Sequence, residues 1–281
     1  MPKKADLHVR TTASMGRVSP TEAVVLAKKK GLAAIAIVDH ESVEAIPDAI
    51  EAGKEYGVEV IPGVELLYEE GPREAHIIGY FIDWRNRTLL TEISRSQAAR
   101  AWRVRRTLEE LQKLGIEITY EDVLAEAGRA AIIGRTHVAR LLAKRKIVQS
   151  PAQAFEKYLS YGKPAYVPRY QLPISEAMRP IYDAGGVPAL AHPKFSRAEE
   201  LVPELVKHGL RAIEVYHPYH TKDEVKRFKA LAQRYGLIEV GGTDSESTRS
   251  PVGTVTVPYK AVEELRNWWK ELPKRLKKLL K

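Results

Sequence analysis

An α/β barrel interrupted by a helical stretch is the fold this sequence predicts, and three observations carry that reading. Short apolar runs alternate with helical windows through most of the 281 residues, the rhythm of parallel βαβ units. Glycines at Gly31, Gly57, Gly185, Gly209 and Gly236 each follow a helical window, where a left-handed C-cap is wanted. From about Thr88 to Tyr161 the rhythm stops and only helical patterns remain.

The strand windows, in order, are Ala5–Val9, Ala34–Val38, Val58–Val64, His76–Phe81, Val187–Ala191, Ala212–Tyr216, Ile238–Gly241 and Gly253–Val257. Helices at Pro20–Lys30, Ala45–Tyr56, Ile174–Ala184, Glu199–His208 and Lys222–Tyr235 fit between many of them. The interrupting stretch holds Leu89–Leu114, Tyr120–Ala127, Thr136–Lys144 and Ala152–Leu159. The expected division is therefore a barrel of residues 1–87 and 162–281 with a helical insertion domain of residues 88–161. A final helix covers Ala261–Leu280, packing Trp268 and Trp269 and kinked or interrupted at Pro273.

Apolar residues make up 44% and charged residues 29%, ordinary for a soluble globular enzyme. No run of about 18 apolar residues is present, so no membrane partner is expected. The opening MPKKADLHV enters a strand at once and leaves no room for a signal peptide. With no cysteine, disulfides and thiolate metal sites are excluded and a cytoplasmic location is expected. Any metal must be held by His, Asp and Glu. The net charge of +9 concentrates in RSQAARAWRVRR, from Arg95, and in the tail KELPKRLKKLLK. Such stretches either steer phosphate-bearing partners or are solvated helix faces.

Barrel chemistry gathers at the C-terminal ends of strands. Asp6, His8 and Arg10 alternate onto one strand face, and the second strand ends in Asp39 and His40. Glu65, His192, His217 and Asp244 follow at later strand ends. His76 opens its strand, so it reaches the same rim only from the opposite end or on an antiparallel strand. Five of the eight histidines lie at strand termini, which predicts one convergent ionisable cluster.

These residues resemble the PHP (polymerase and histidinol phosphatase) phosphoesterases, and within them the branch hydrolysing nucleoside bisphosphates and short oligonucleotides. DLHVRTTASMGRVSP is similar to the family's DLHxHTxxSDGxxxP, IVDHES to TDHDT, IPGVEL to IPGxE, HIIGYF to HIxGY and GRTHVARLL to RPHxA. PAYVPRY, AGGVPALAHP, IEVYHPYH and GGTDSES then follow in the family's order. The resemblance covers essentially the whole chain and implies a distorted (β/α)7 barrel with a metal cluster that attacks a phosphate ester.

By that resemblance one metal would use His8, the position of Arg10, Glu65 and Asp244. A second would use Glu65, His76 and His192, and a third the position of Met15, His40 and the position of Glu246. Arg10, Met15 and Glu246 replace histidine, aspartate and histidine respectively. A guanidinium has no lone pair for a metal, and about 5 Å from a divalent ion it repels by roughly 7 kcal/mol at an effective dielectric near 20. Arg10 is therefore expected to take the first ion's place, with Asp6, Asp244 or Glu65 as partner. Met15 is too soft for the metals concerned, which leaves a complete two-His, one-Glu set for zinc or manganese, fewer ions than the family's three. His40 and Asp244 are the candidate catalytic residues, and Arg10, Arg135, Arg169, His217 and His220 the candidate substrate-binding ones.

Three function classes stay open on the sequence. One is a phosphoesterase of reduced metal content and weakened activity, acting on a small phosphate ester or short nucleic acid. Another is an inactive or re-engineered barrel binding a ligand in the former active site, and the last a nucleic-acid-binding protein using its Arg-rich helix. Ser245 and Ser247 lie near the histidine motifs, but no G-x-S-x-G nucleophile elbow occurs. Oligomeric state stays open.

Overall fold

The computed structural model describes residues 2–70, 73–128, 133–168, 173–195, 198–245 and 251–279. Eight strands form one sheet: β1 Lys4–Val9, β2 Ala34–Ile37, β3 Glu59–Glu70, β4 Arg73–Tyr80, β5 Val187–Leu190, β6 Ala212–Tyr216, β7 Ile238–Gly241 and β8 Val257–Pro258. Their order is β7-β6-β5-β4-β3-β2-β1-β8. The pairs β1–β2, β2–β3, β5–β6 and β6–β7 are parallel. β4 runs antiparallel to both neighbours, and the short β8 antiparallel to β1.

The two ends of the sheet meet. Just past β7, Asp244 N donates to His8 O at 2.8 Å, while Thr243 N and Oγ1 donate to the Asp6 carboxylate at 2.9 and 2.6 Å. A Cβ on Gly242 would stand 2.2 Å from His8 N, so only glycine lets this segment press onto β1. The result is a distorted, nearly closed α/β barrel. Each of the eight strand windows has a counterpart, the last reduced to the two-residue β8, one strand more than the (β/α)7 barrel the resemblance implies.

Strand periodicity explains the barrel's interior. Ile61 and Glu65 share one face of β3, Ile78 and His76 one face of β4, and Ala212 and Glu214 one face of β6. The apolar member of each pair joins a buried cluster with Ala5, Leu7, Ala36 and Val240. Helix α10, Lys260–Leu279, adds Ala261, Val262 and Leu265 to that cluster. The ionisable member of each pair lies toward the opposite end, the mouth. Because β4 is antiparallel, its N-terminal half brings His76 to that mouth.

Helices α1 (Pro20–Lys29), α2 (Ile46–Tyr56), α7 (Arg179–Asp183), α8 (Val202–Lys207) and α9 (Lys222–Tyr235) cover the outside. They contribute Val24, Ile46, Ile181, Leu205 and Phe228 to a second cluster. Between β4 and β5 lie α3 (Arg87–Lys113), α4 (Tyr120–Ala127), α5 (Arg135–Lys144), α6 (Pro151–Ala154) and a π-turn at Phe155–Leu159. These pack Val104, Leu111, Val138, Leu142 and Leu159 into a cluster of their own.

Several expectations need correction. Gly253–Val257 is not a strand along its length: Gly253 N donates to Asp6 Oδ2 at 2.7 Å and Val255 N to Thr243 Oγ1 at 3.1 Å. Side chains thus satisfy backbone groups that a ladder would otherwise pair. Ile174–Ala184 and Glu199–His208 each divide into a 3₁₀ turn and a short helix. In each, a proline (Pro180, Pro203) stands in the first turn of the second piece, where its missing N–H costs nothing. α10 runs through Pro273 without interruption.

Candidate functional site

Glu65 is the hub of the barrel mouth. Its backbone is pinned where β2 ends, its N–H donating to Asp39 O at 3.0 Å and its carbonyl accepting from Glu41 N at 2.9 Å. The carboxylate is fully buried. Its Oε1 meets His76 Nδ1 at 2.9 Å and His192 Nε2 at 3.1 Å. Its Oε2 lies 2.6 Å from Arg10 Nη2, 3.4 Å from His8 Nε2 and 3.6 Å from His40 Nδ1.

Asp244 organises the other side. Its Oδ1 accepts from Arg10 Nε, and its Oδ2 lies 3.3 Å from His217 Nε2. Arg10 is only 1% exposed, so its charge is compensated by the two carboxylates of Glu65 and Asp244 rather than by water. The expected partners are therefore two of the three considered. Asp6 instead serves the barrel closure, accepting from Thr243, Gly253 and His8 N. A register shift in β1 between Asp6 and Val9 accompanies this separation, the re-aiming that a bulge produces.

Behind the hub stands Glu214. Its Oε1 lies 3.1 Å from His8 Nδ1 and its Oε2 accepts from His192 N at 2.8 Å. Glu74 Oε1 sits 3.0 Å from His76 Nε2. Asp39 accepts from Thr11 N and Oγ1, each at 2.7 Å, and from the Ser14 hydroxyl. That fixes the loop carrying His40. His192 and Asp244 hold positive φ, 21° and 47°, a conformation costing roughly 1–3 kcal/mol for a non-glycine residue.

Electrostatics separates the two sides. Burial pushes His40 down, and the neighbouring Arg10 charge adds to this, so it stands well below the ordinary imidazole range. Burial would raise Glu65 and Asp244, but Arg10 in each case overrides it and holds them well below the carboxylate range. Burial opposes protonation of His8, yet Glu214 and Asp244 hold it well above its usual value. His76 is pushed up to about 9 against burial by hydrogen bonds to Glu65 and Glu74, and Glu74 down to about 2 by the same contact.

The chemistry of the donors fits one divalent ion. His40, Glu65 and His76 each offer a ligand atom, all within 4.8 Å of one another, and His192 touches the same carboxylate. His40 Nδ1 is buried with no hydrogen-bond partner among the described residues. Two-His, one-carboxylate sets are those of catalytic zinc sites. On the Asp244 side the fit fails, because the Arg10 guanidinium bridges the carboxylates an ion would need.

The mouth opens into a cavity of about 600 Å³ whose lining includes Arg10, Met15, His40, His76, His192 and Asp244. Arg100, Arg103 and Arg135 line it as well. Arg103 makes a two-pronged pair with Glu69 at 2.7 and 2.9 Å, and Arg100 Nε reaches Glu41 Oε2 at 2.9 Å. Arg135 donates to Leu159 O at 3.0 Å and lies 3.8 Å from Glu69.

Thus His8, Arg10, His40, Glu65, His76, His192, His217 and Asp244 come together, with Arg135 across the cavity. His220 turns away, its Nδ1 2.9 Å from Val215 O and its ring on Phe228. Arg169 and Glu246 lie outside the described residues. Leu67 lines the cavity, whereas Tyr68 is buried in the outer core. Ser245 Oγ is engaged with the backbone of Arg10, which does not suit a nucleophile.

Sequence reasoning missed Glu214, Glu74, Glu69 and the inward role of Arg100 and Arg103. Two of these carried a signal. Glu214 is a lone carboxylate in the apolar run AIEVY, and Glu74 stands two residues before His76, on the same strand face.

Comparison with known proteins adds the following. The PHP domain profile matches residues 6–165. A 5'-3' exoribonuclease of Haemophilus influenzae is 32% identical, covering 87% of this chain and 90% of its own. A 3',5'-nucleoside bisphosphate phosphatase of Chromobacterium violaceum is 29% identical over 96% of this chain and 97% of its own. A Bifidobacterium adolescentis structure assigned as a metal-dependent phosphoesterase superposes with a TM-score of 0.79 at 28% identity, covering 94% of this chain and 96% of that one.

Proposed function

This chain belongs to the PHP domain family, and we propose that it is a metal-dependent phosphoesterase acting on nucleotides or short oligonucleotides through a site reduced to one divalent ion, zinc or manganese. The observation that carries the reduced site is Arg10, seated between Glu65 and Asp244. His40, Glu65, His76 and His192 are the residues that would hold the ion. A divalent ion there supplies Lewis acidity toward a phosphoryl oxygen and makes water a usable nucleophile near neutral pH.

The protein's own groups do the rest. Arg10 lines the cavity wall with its guanidinium shared between Glu65 and Asp244, which fix its position. Arg100, Arg103 and Arg135 line the same cavity, guanidinium groups suited to the charge that develops on a phosphoryl group. His8 and Glu214 brace the hub from behind. Asp244 acts as the positioner of Arg10 and His217. Residues 88–161, which carry Arg100, Arg103 and Arg135, act as the substrate-facing insertion over the barrel mouth.

Hydrolysis of a generic phosphate monoester, with Mn²⁺ or Zn²⁺ added, tests this reading. The parent is expected to turn over slowly, losing activity in chelator and regaining it with metal. A triple variant Arg10→His, Met15→Asp, Glu246→His is expected to be strongly activated. Equal rates in parent and triple variant would overturn the reduced site. No turnover in either would favour a barrel kept for ligand binding.

A further inference from the structure

Eight large apolar side chains are more than a third exposed among the described residues, and the three most exposed, Tyr161 (57%), Tyr219 (56%) and Phe195 (55%), all line the cavity at the barrel mouth. Their placement does not follow from packing. A flat apolar ring left in water beside a charged pocket is a surface waiting for a ligand.

Phe195 and Tyr219 form a continuous set of rings with the site itself. Phe195 stands edge-to-face against Tyr219 at 5.7 Å, against His217 at 5.6 Å and against His192 at 5.6 Å. His192 in turn reaches Glu65. Tyr219 is held from below: its carbonyl accepts from Lys194 Nζ at 2.8 Å, and that ammonium also reaches Glu224 at 3.1 Å. Its N–H donates to His217 Nδ1 at 3.3 Å. The pair is thus exposed on its cavity side and anchored on its barrel side, one step from the hub.

We propose that Phe195 and Tyr219 are a stacking platform for the nucleobase of the substrate, and so the residues that set its preference for base-bearing phosphate esters over base-free ones. This deepens the phosphoesterase reading and rests on it for where the phosphate lies. The chemistry is that of sequence-tolerant stacking: every base has a π-face, and an aromatic ring lets any of them bind while the cationic pocket takes the phosphate. A mononucleotide and the terminal residue of an oligonucleotide share that chemistry.

Binding tests it apart from turnover. Calorimetric affinities would be compared for adenosine 3',5'-bisphosphate, a 5'-phosphorylated dinucleotide and a ribose bisphosphate without a base, using the metal-loaded parent, Phe195→Ala, Tyr219→Ala and the double variant. Both positions are exposed, so folding is expected to be retained, and Phe195→Trp serves as the conservative rescue. The parent is expected to bind the two base-bearing ligands at least fivefold more tightly than the base-free one. The double variant should lose that preference while holding the base-free ligand as before, and Phe195→Trp should keep it. A preference confined to the dinucleotide assigns the platform to oligonucleotide ends; one shared by both ligands assigns it to nucleotides in general. No preference in the parent, or one untouched in the double variant, overturns the proposal. Absence of hydrolysis with the binding preference intact would count against the phosphoesterase reading alone.

Discussion

The two oxygens of Glu65 face two different kinds of neighbourhood. Toward Oε1 lie His76 and His192, while His40, neutral and with a buried nitrogen left unbonded among the described residues, stands 3.6 Å from Oε2. Toward Oε2 lies Arg10, tied also to Asp244, with a protonation-prone His8 beside it. The first side is built of imidazoles that a divalent ion could claim by displacing the proton of His76; the second already contains a fixed cation. A single carboxylate therefore serves a ligand set and an internal ion pair. An internal guanidinium of this kind leaves neither Glu65 nor Asp244 without a charge partner.

The comparison breaks most severely at the hub. Glu65→Gln should abolish stoichiometric metal binding and leave Arg10 short of a partner; removing one member of a buried pair costs about 3–5 kcal/mol, measurable in urea unfolding. Next, His76→Ala is expected to lower metal-dependent hydrolysis by more than the roughly 10–100-fold typical of losing a supporting residue. Circular dichroism should show the fold retained. A His76→Ala protein with full activity and full metal content would place the ion elsewhere.

Smaller effects sharpen the contrast with regions away from the mouth. Asp6→Asn keeps the shape but weakens a buried acceptor of four hydrogen bonds. A cost of about 1–3 kcal/mol is expected, with metal content unchanged. Smallest is Thr221→Ala at the capping box of α9, expected to cost about 1 kcal/mol. In that box Glu224 is held at about 2, chiefly by its hydrogen bond with the Thr221 backbone. A depressed carboxylate contributes above its unfolded value near 4.3 and loses that contribution as pH falls toward 2. The melting difference between parent and Glu224→Gln, which removes the titrating carboxylate, should therefore shrink across that window.

Much of this was legible in the chain. Histidines and acids at strand ends pointed to one rim, and the antiparallel option for His76 was visible because His76 opens its strand. Arg10 stood out because its neighbours at Asp6 and His8 are residues of metal sites. What stayed hidden depends on approach across long sequence separations. Glu214 meets His8 across 206 residues, and no local pattern announces that. The arginines of α3 show the same limit. Composition allowed a solvated basic face, yet Arg103 is buried against Glu69 on β3 while Arg106 is half exposed. Which face of a helix points inward is decided by the strand it packs over.

Metal content measured on the reconstituted parent and on Arg10→His bears on the central claim most directly. Inductively coupled plasma analysis after loading with Zn²⁺ or Mn²⁺ and removal of free metal should give one ion per chain for the parent and two for Arg10→His. Two or more ions in the parent, or no increase in the variant, would contradict an arginine standing in for an ion.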